Sequence, residues 1–300
     1  MSRWSVDDDR GDGNGSDLDR GHAARSQERT QDHVDEFPMD GLTLPRGEER
    51  DVVEFRDREY TLSGSETRAL ATVGAFRVIL SEDFTPSERS HNASHDDWRH
   101  LSAQGLVTRE TLTDRGGARH VMALTREGKA LLDAHREPGR SGRHQEYYAG
   151  VVKPRELGHD AQLYRVYQAE AARIGREGGR VTRVVLDYEL KRDYQRVLNR
   201  KDRPADADPR EDRDAFAKAH GLAVIRGHLE LPDLRIEYET AQGRIEYRDV
   251  ELVTEHYSRG QLAGKAKAGF VRYRASSGGR GGDTRRGGTP HDPRHLERLS

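Results

Sequence analysis

The sequence predicts an α+β or α/β chain of two folded blocks between disordered termini, and three observations predict it. Apolar stripes at three- and four-residue spacing alternate with β-branched runs, so helices and strands are interleaved. Hydrophobic residues make up only 33% of the 300 positions while charged residues make up 35%. That is too few apolar side chains to fill a core from end to end, so part of the chain is expected to stay unfolded. Composition also shifts at identifiable points, which divide the chain into residues 1–50, 51–135, 136–145, 146–274 and 275–300.

Residues 1–50 are rich in Asp, Gly, Ser and Arg and read as a disordered acidic tail. They hold seven Lys/Arg against thirteen Asp/Glu, so they carry −6; with −2 overall, residues 51–300 carry +4. The chain has no cysteine, which excludes disulfides, thiolate metal sites and cysteine nucleophiles. No apolar run approaches the roughly 18 residues that span a bilayer, and Met1–Arg10 lacks the apolar stretch of a signal peptide. A soluble, cytoplasmic protein with no membrane partner is the expectation.

The first block opens with a weakly alternating strand, Asp51 to Thr61. Ser63 or Ser65 can cap a helix with Glu66 in its first turn, followed by the stripe Leu70, Val73, Phe76 and Leu80. Asp83 to Ser90 offers a turn and a short second helix. Asp96 to Gln104 gives another helix, with Trp98 and Leu101 on one face, stopped by Gly105. Leu106–Thr111 and Arg119–Leu124 then read as two strands joined by the polar turn Thr113-Asp114-Arg115-Gly116-Gly117. Thr125-Arg126-Glu127-Gly128 starts a closing helix that continues through Leu131 and Leu132.

A helix ending in Gln-Gly-Leu-Val, a polar hairpin and then Leu-Thr-x-x-Gly-x-x-Leu-Leu resembles the winged helix-turn-helix repressors of the MarR and PadR type, over about 75 residues. The resemblance implies DNA as a partner, and such regulators are often dimers, although no heptad pattern here requires it. The helix before Gly105 would enter the major groove, with Arg99, His100 and Gln104 as candidate contacts. Arg115 and Arg119 in the hairpin would reach phosphate or the minor groove. Asp96 and Asp97 beside that helix oppose phosphate, and the alternative is a unit used for protein contacts.

Residues 136–145, with Pro138, Gly139 and Gly142, read as a linker. In the second block Asp160 caps a helix carrying Leu163, Val166, Tyr167, Ala171 and Ile174, and His159 reads as a helix-start or packing histidine. Arg180–Tyr188 is a β-branched strand and Glu189–Arg200 a helix, followed by a charged loop and a short helix near Asp214–His220. Two strands, Asp233–Thr240 and Gly243–Thr254, turn at Ala241-Gln242-Gly243. Arg259–Arg274 reads as one basic helix: residues 256–274 contain Arg259, Lys265, Lys267, Arg272 and Arg274, no Asp or Glu, and three aromatic residues. That pattern suits contact with a nucleic-acid backbone, or a solvated helix packed by its apolar face.

Pro232-Asp233 at a strand start, with Glu251 on the neighbouring strand 18 positions later (251 − 233), resembles the PD-(D/E)xK nuclease superfamily and so a restriction-endonuclease-like mixed sheet flanked by helices. Carboxylates on adjacent strands can share one Mg²⁺; Glu189 is a possible third ligand. The lysine expected two residues after the acid is Val253 here. Either Lys265 or Lys267 reaches the site from the next helix, or the site no longer cuts.

Both blocks together resemble the replication-relaxation family of plasmids and mobile elements. The match runs through Leu157-Gly158-His159-Asp160, Glu189-Leu190-Lys191-Arg192, Pro232-Asp233, Glu251-Leu252-Val253-Thr254 and Lys265, across roughly residues 60–274. It implies a DNA-binding protein of a mobile genetic element with an inactive nuclease-like domain. The alternatives are a Mg²⁺-dependent endonuclease or nickase, and an adaptor that recruits a protein partner through its C-terminal tail, where Pro290–Leu299 could form a short helix.

Overall fold

A computed structural model describes residues 37–84, 95–114, 117–137, 142–151, 156–204, 207–254, 257–275 and 297–299. The expected disorder of residues 1–36 and 276–296 lies outside these residues, as does the second helix expected to run to Ser90. Among the described residues the chain is mixed α+β, with seven α-helices and several sheets, and no helix is long and apolar enough to cross a membrane.

The folded part begins before residue 51. Phe37, Met39, Leu42 and Leu44 are buried, and Thr43 donates its N–H to the His135 carbonyl. Four apolar residues within eight, without helical or strand periodicity, give no pattern to read, yet each finds the core.

In the first unit β1 (Asp51–Phe55) and β2 (Arg58–Leu62) form a hairpin. Helix α1 (Gly64–Phe76) starts at a reciprocal cap: Ser63 accepts from the Glu66 N–H, and the Glu66 carboxylate accepts from the Ser63 N–H at 2.9 Å. It ends at Arg77, whose φ is +70°. Then come β3 (Val78–Leu80), a 3₁₀ turn (Ser81–Phe84), α2 (His95–Ala103), β4 (Val107–Asp114), β5 (Gly117–Leu124) and α3 (Arg126–Ala134). The three strands form a sheet in the order β3-β5-β4. Thr125 caps α3 through the Gly128 N–H at 3.0 Å. Gly128 is required for packing, since a Cβ there would meet the Leu106 carbonyl oxygen.

The second unit is α4 (Leu157–Arg176), β6 (Arg180–Leu186), α5 (Asp187–Leu198), α6 (Pro209–His220), the small hairpin β7 (Val224–Ile225) and β8 (His228–Leu229), β9 (Leu234–Glu239), β10 (Ile245–Val253), α7 (Arg259–Lys267), β11 (Val271–Arg274) and β12 (Arg298–Leu299). Its five-stranded sheet runs β12-β11-β10-β9-β6. β9 lies between β6 and β10 and is antiparallel to both, and β11 returns parallel to β10 after α7. Two expectations are corrected here. The basic segment is a helix only to Lys267; Gly269 takes φ +80°, and Phe270-Val271-Arg272-Tyr273 alternates as a strand does. Arg298 and Leu299, expected in a flexible tail or a short helix, are a strand and pair with Tyr273 and Arg272; residues 290–296 of that expected helix lie outside the described residues.

The units share one core. Phe76 of α1 packs on Tyr164 and Tyr167 of α4 with ring centroids 5.2 and 4.8 Å apart, and one apolar cluster runs from Leu62 through α4 to Leu252. Residues 142–151 belong to this body rather than to a loose linker. Tyr147 is buried, and the Gln145 amide accepts from the Val184 N–H at 2.9 Å and donates to its carbonyl at 3.0 Å, extending β6 as a strand would.

Candidate functional site

Register decides what meets at the end of the large sheet. Leu234 of β9 pairs with Val250 of β10, so one further step sets Asp233 opposite Glu251. Alternation sends Val250 and Leu252 into the core beneath α4 and leaves Glu251 on the other face. Directly opposed antiparallel residues have Cβ atoms roughly 5 Å apart, so two carboxylates are held close by backbone geometry alone. Asp233 Oδ2 accepts from the Leu252 N–H at 2.8 Å, which fixes its orientation across the ladder.

Glu251 is 1% exposed. Its Oε1 accepts from Tyr257 Oη at 2.6 Å and lies 3.2 Å from Lys265 Nζ. Its Oε2 is buried and has no hydrogen-bond partner. Burial, and then the charge of Asp233, push the Glu251 carboxyl up to about 7 against the opposing effects of Lys265 and Tyr257. Lys265 also donates to the Leu231 carbonyl at 2.7 Å. Of the two lysines of α7 considered, it is Lys265 that lies beside Glu251, while Val253 is 8% exposed and fills space.

Side chains from α4 and α5 complete the cluster, and sequence reasoning had assigned them other roles. His159 Nε2 lies 3.3 Å from Asp233 Oδ2, and its Nδ1 lies 3.5 Å from Asp160 Oδ1. Burial opposes a charge on this imidazole, yet its hydrogen bonds to Asp160 and Asp233 outweigh burial and hold it up at about 10. Asp160 is not a cap, since α4 begins three residues earlier at Leu157; it pairs instead with Arg77 at 3.3 Å. Asp187 opens α5, donates its N–H to the Asp233 carbonyl at 3.2 Å and pairs with Lys191. Burial, with the charges of Asp233 and Asp160, raises its carboxyl. The Leu-Gly-His-Asp string was the available signal for His159 and Asp160; Asp187 gave none.

Other candidates are not brought together. Glu189 is held by Arg183 beside Glu146, Arg192 and Asp193, a setting separate from the Asp233–Glu251 pair. Lys267 and Arg259 are exposed on α7. Arg274 pairs with Glu297 at 2.8 Å, and Arg272 is the register partner of Glu251 on β11. On α2, His100 Nδ1 lies 2.7 Å from Glu66 Oε1 and its Nε2 lies 3.2 Å from Thr61 Oγ1. Gln104 clamps the Thr61 main chain, accepting at 2.7 Å and donating at 3.0 Å. Both, expected as base contacts, turn inward to Glu66 and Thr61. Arg99 alone of the three faces outward, 3.5 Å from Asp96. Arg119 is 21% exposed and points back toward Glu82 at 3.9 Å rather than outward; Arg115 lies outside the described residues.

Among the described residues no group of three or more His, Asp or Glu side chains is arranged to hold a metal ion. A hard cation such as Mg²⁺ needs fewer, because it keeps several waters and takes one or two carboxylates plus substrate phosphate. The Asp233–Glu251 pair supplies two, and the unpartnered buried Glu251 Oε2 is an acceptor for which such a cation is a fitting partner. No family model matches this chain, and no match to it is found among curated proteins or solved structures.

Proposed function

We propose that this chain is a DNA-binding protein of a mobile genetic element, built from a winged-helix unit fused to a PD-(D/E)xK-like nuclease core that retains the parts for metal-dependent cleavage. One observation carries the reading: Asp233 and Glu251 lie one step beyond the Leu234–Val250 pair, Asp233 bound to the Leu252 N–H, with Lys265 Nζ 3.2 Å from Glu251, although the usual lysine position is Val253. The mixed sheet with helices before it and between its strands supports the nuclease core. The order helix, strand, helix, hairpin, helix over residues 64–134 supports the winged helix.

In this reading Asp233 and Glu251 hold a Mg²⁺ ion, which when bound supplies charge stabilisation to a phosphate and a more acidic water. Lys265 places a second positive charge beside Glu251. Leu252 N–H and His159 orient Asp233, and Tyr257 fixes one oxygen of Glu251. The second reading is a DNA-binding protein with a retired site, favoured by the engagement of Lys265 with the Leu231 carbonyl.

Supercoiled and linear DNA incubated with the protein, with and without Mg²⁺ or Mn²⁺, separate the two on one gel. Metal-dependent nicking that disappears in Asp233→Ala and Glu251→Ala is the expected result. Retardation without cleavage supports the retired site, and neither cleavage nor retardation sinks both readings in favour of an adaptor.

A further inference from the structure

The first unit sends one side chain into this cluster. Arg77 follows the last turn of α1 with φ +70° and ψ −56°, a backbone conformation that costs a residue with a Cβ and is ordinarily left to glycine. Such strain persists where surrounding contacts over-determine it. Here the guanidinium is 5% exposed, lies 3.3 Å from Asp160 and stacks over the Tyr188 ring at 4.2 Å. Tyr188 in turn donates to Asp160 Oδ2 at 3.2 Å and to Glu156 at 2.7 Å. Asp160 is thus gripped by Arg77 on one side and faces His159 on the other, and His159 reaches Asp233.

We propose that Arg77 is a positioning residue for the Asp233–Glu251 centre, acting through Asp160 and the His159 imidazole across the junction of the two units. The inference rests on the reading of that centre as a metal site only for its effect on metal binding; the ordering of His159 by Arg77 stands apart from it. A carboxylate next to an imidazole sets which way the ring faces and steadies its charge. Arg77 is the cation that holds that carboxylate.

A second bridge between the units supplies the control. Arg165 of α4, 6% exposed, pairs with Asp83 at 2.7 Å and Glu82 at 2.6 Å, so Arg165→Met loosens the same junction without touching Asp160. Long-range ¹⁵N–¹H spectra of the full chain in EDTA report the His159 ring, assigned by the signals lost in His159→Gln. Arg77→Met should shift the His159 nitrogens, Arg77→Lys should restore part of the shift, and Arg165→Met should leave them in place. Should Arg77→Met not fold, Arg77→Gln carries the same test, because it keeps a polar side chain at the position and removes the charge. Titration with Mn²⁺ followed by electron paramagnetic resonance gives the second reading, with a loss of about tenfold to a hundredfold in affinity expected for Arg77→Met and none for Arg165→Met. His159 signals unmoved in Arg77→Met, or moved equally in Arg165→Met, would overturn the proposal. Wild-type protein that takes up no Mn²⁺ would remove the metal reading instead, and the spectra would still decide the role of Arg77.

Discussion

Helix α2 and the end of strands β9 and β10 were both expected to present polar residues to a nucleic acid, and they behave in opposite ways. On α2 two of three candidates turn inward, His100 to Glu66 and Gln104 to the Thr61 backbone. At the sheet end Asp233 and Glu251 converge and recruit Lys265, His159 and Tyr257. The difference lies in what each element leaves undetermined. A strand has a period of two, so once Leu234 and Val250 are paired the faces of their neighbours follow. A nine-residue helix with polar residues on every side leaves its facing to tertiary contacts: Trp98 and Leu101 fix the buried stripe, but whether the polar residues beside it turn in depends on Glu66 and Thr61, far away in the chain.

The largest expected effect comes from the crowding at the sheet end. Glu251 sits at about 7 in the folded chain, above the ordinary value of 4.5. A carboxyl raised on folding favours the native state while protonated, and that advantage is lost as pH rises from about 4.5 through 7. In EDTA, Glu251→Gln should therefore melt higher than wild type at pH 8, by up to about 3 kcal/mol, and match it near pH 4.5. Denaturant titrations at the two pH values measure the difference. A variant equally displaced at both would mean that Asp233 and burial do not crowd Glu251, and the contrast with α2 would lose its electrostatic half.

Much of the architecture is legible in the sequence. The helix start at Ser63 or Ser65 with Glu66 in its first turn, the stop at Gly105, the helix opening at Thr125 and the turn at Ala241-Gln242-Gly243 all rest on local chemistry; the structure chooses Ser63 and makes Thr125 a cap. The remainder depends on contacts between distant residues. Phe37 to Leu44 has no period and is buried only because α4 and residues 135–136 lie beneath it. Gly269 ends a helix that composition alone would have run to Arg274. Asp187 reaches the candidate site because β6 ends where β9 begins, the two being separated by β7 and β8 in the chain and adjacent in the sheet. The stripe ending at Leu80 carries the expected helix past Arg77, whereas the helix ends at Phe76 and Leu80 lies in β3; only the pairing of Arg77 with Asp160, 83 residues away, gives it a role.

A smaller effect tests the inward reading of α2. Gln104→Ala removes two hydrogen bonds to the Thr61 backbone, worth about 1 kcal/mol each in net terms, so the variant should lose about 2 kcal/mol in a urea titration. Its retention of DNA, compared at temperatures where both proteins are folded, should be unchanged. Loss of DNA binding with full stability would show that Gln104 leaves Thr61 and reads a base, and the distinction between helix and sheet would collapse.

The smallest effect probes what remains of the α2 surface. Arg99 is 72% exposed, and its partner Asp96 is 81% exposed; such pairs contribute little because water and salt screen them. Arg99→Ala should change stability by less than about 0.5 kcal/mol. Its consequence for DNA is separable from stability, because each phosphate contact contributes about one unit to the slope of log affinity against log salt. If α2 lies along a duplex, Arg99→Ala lowers that slope by about one, and Asp96→Asn strengthens binding at low salt by removing a repulsive charge. An unchanged slope in both variants would mean that α2 does not meet the backbone. DNA held by such a protein would then be gripped from the large sheet, where Arg259 and Lys267 stand exposed on the helix next to the carboxylate pair.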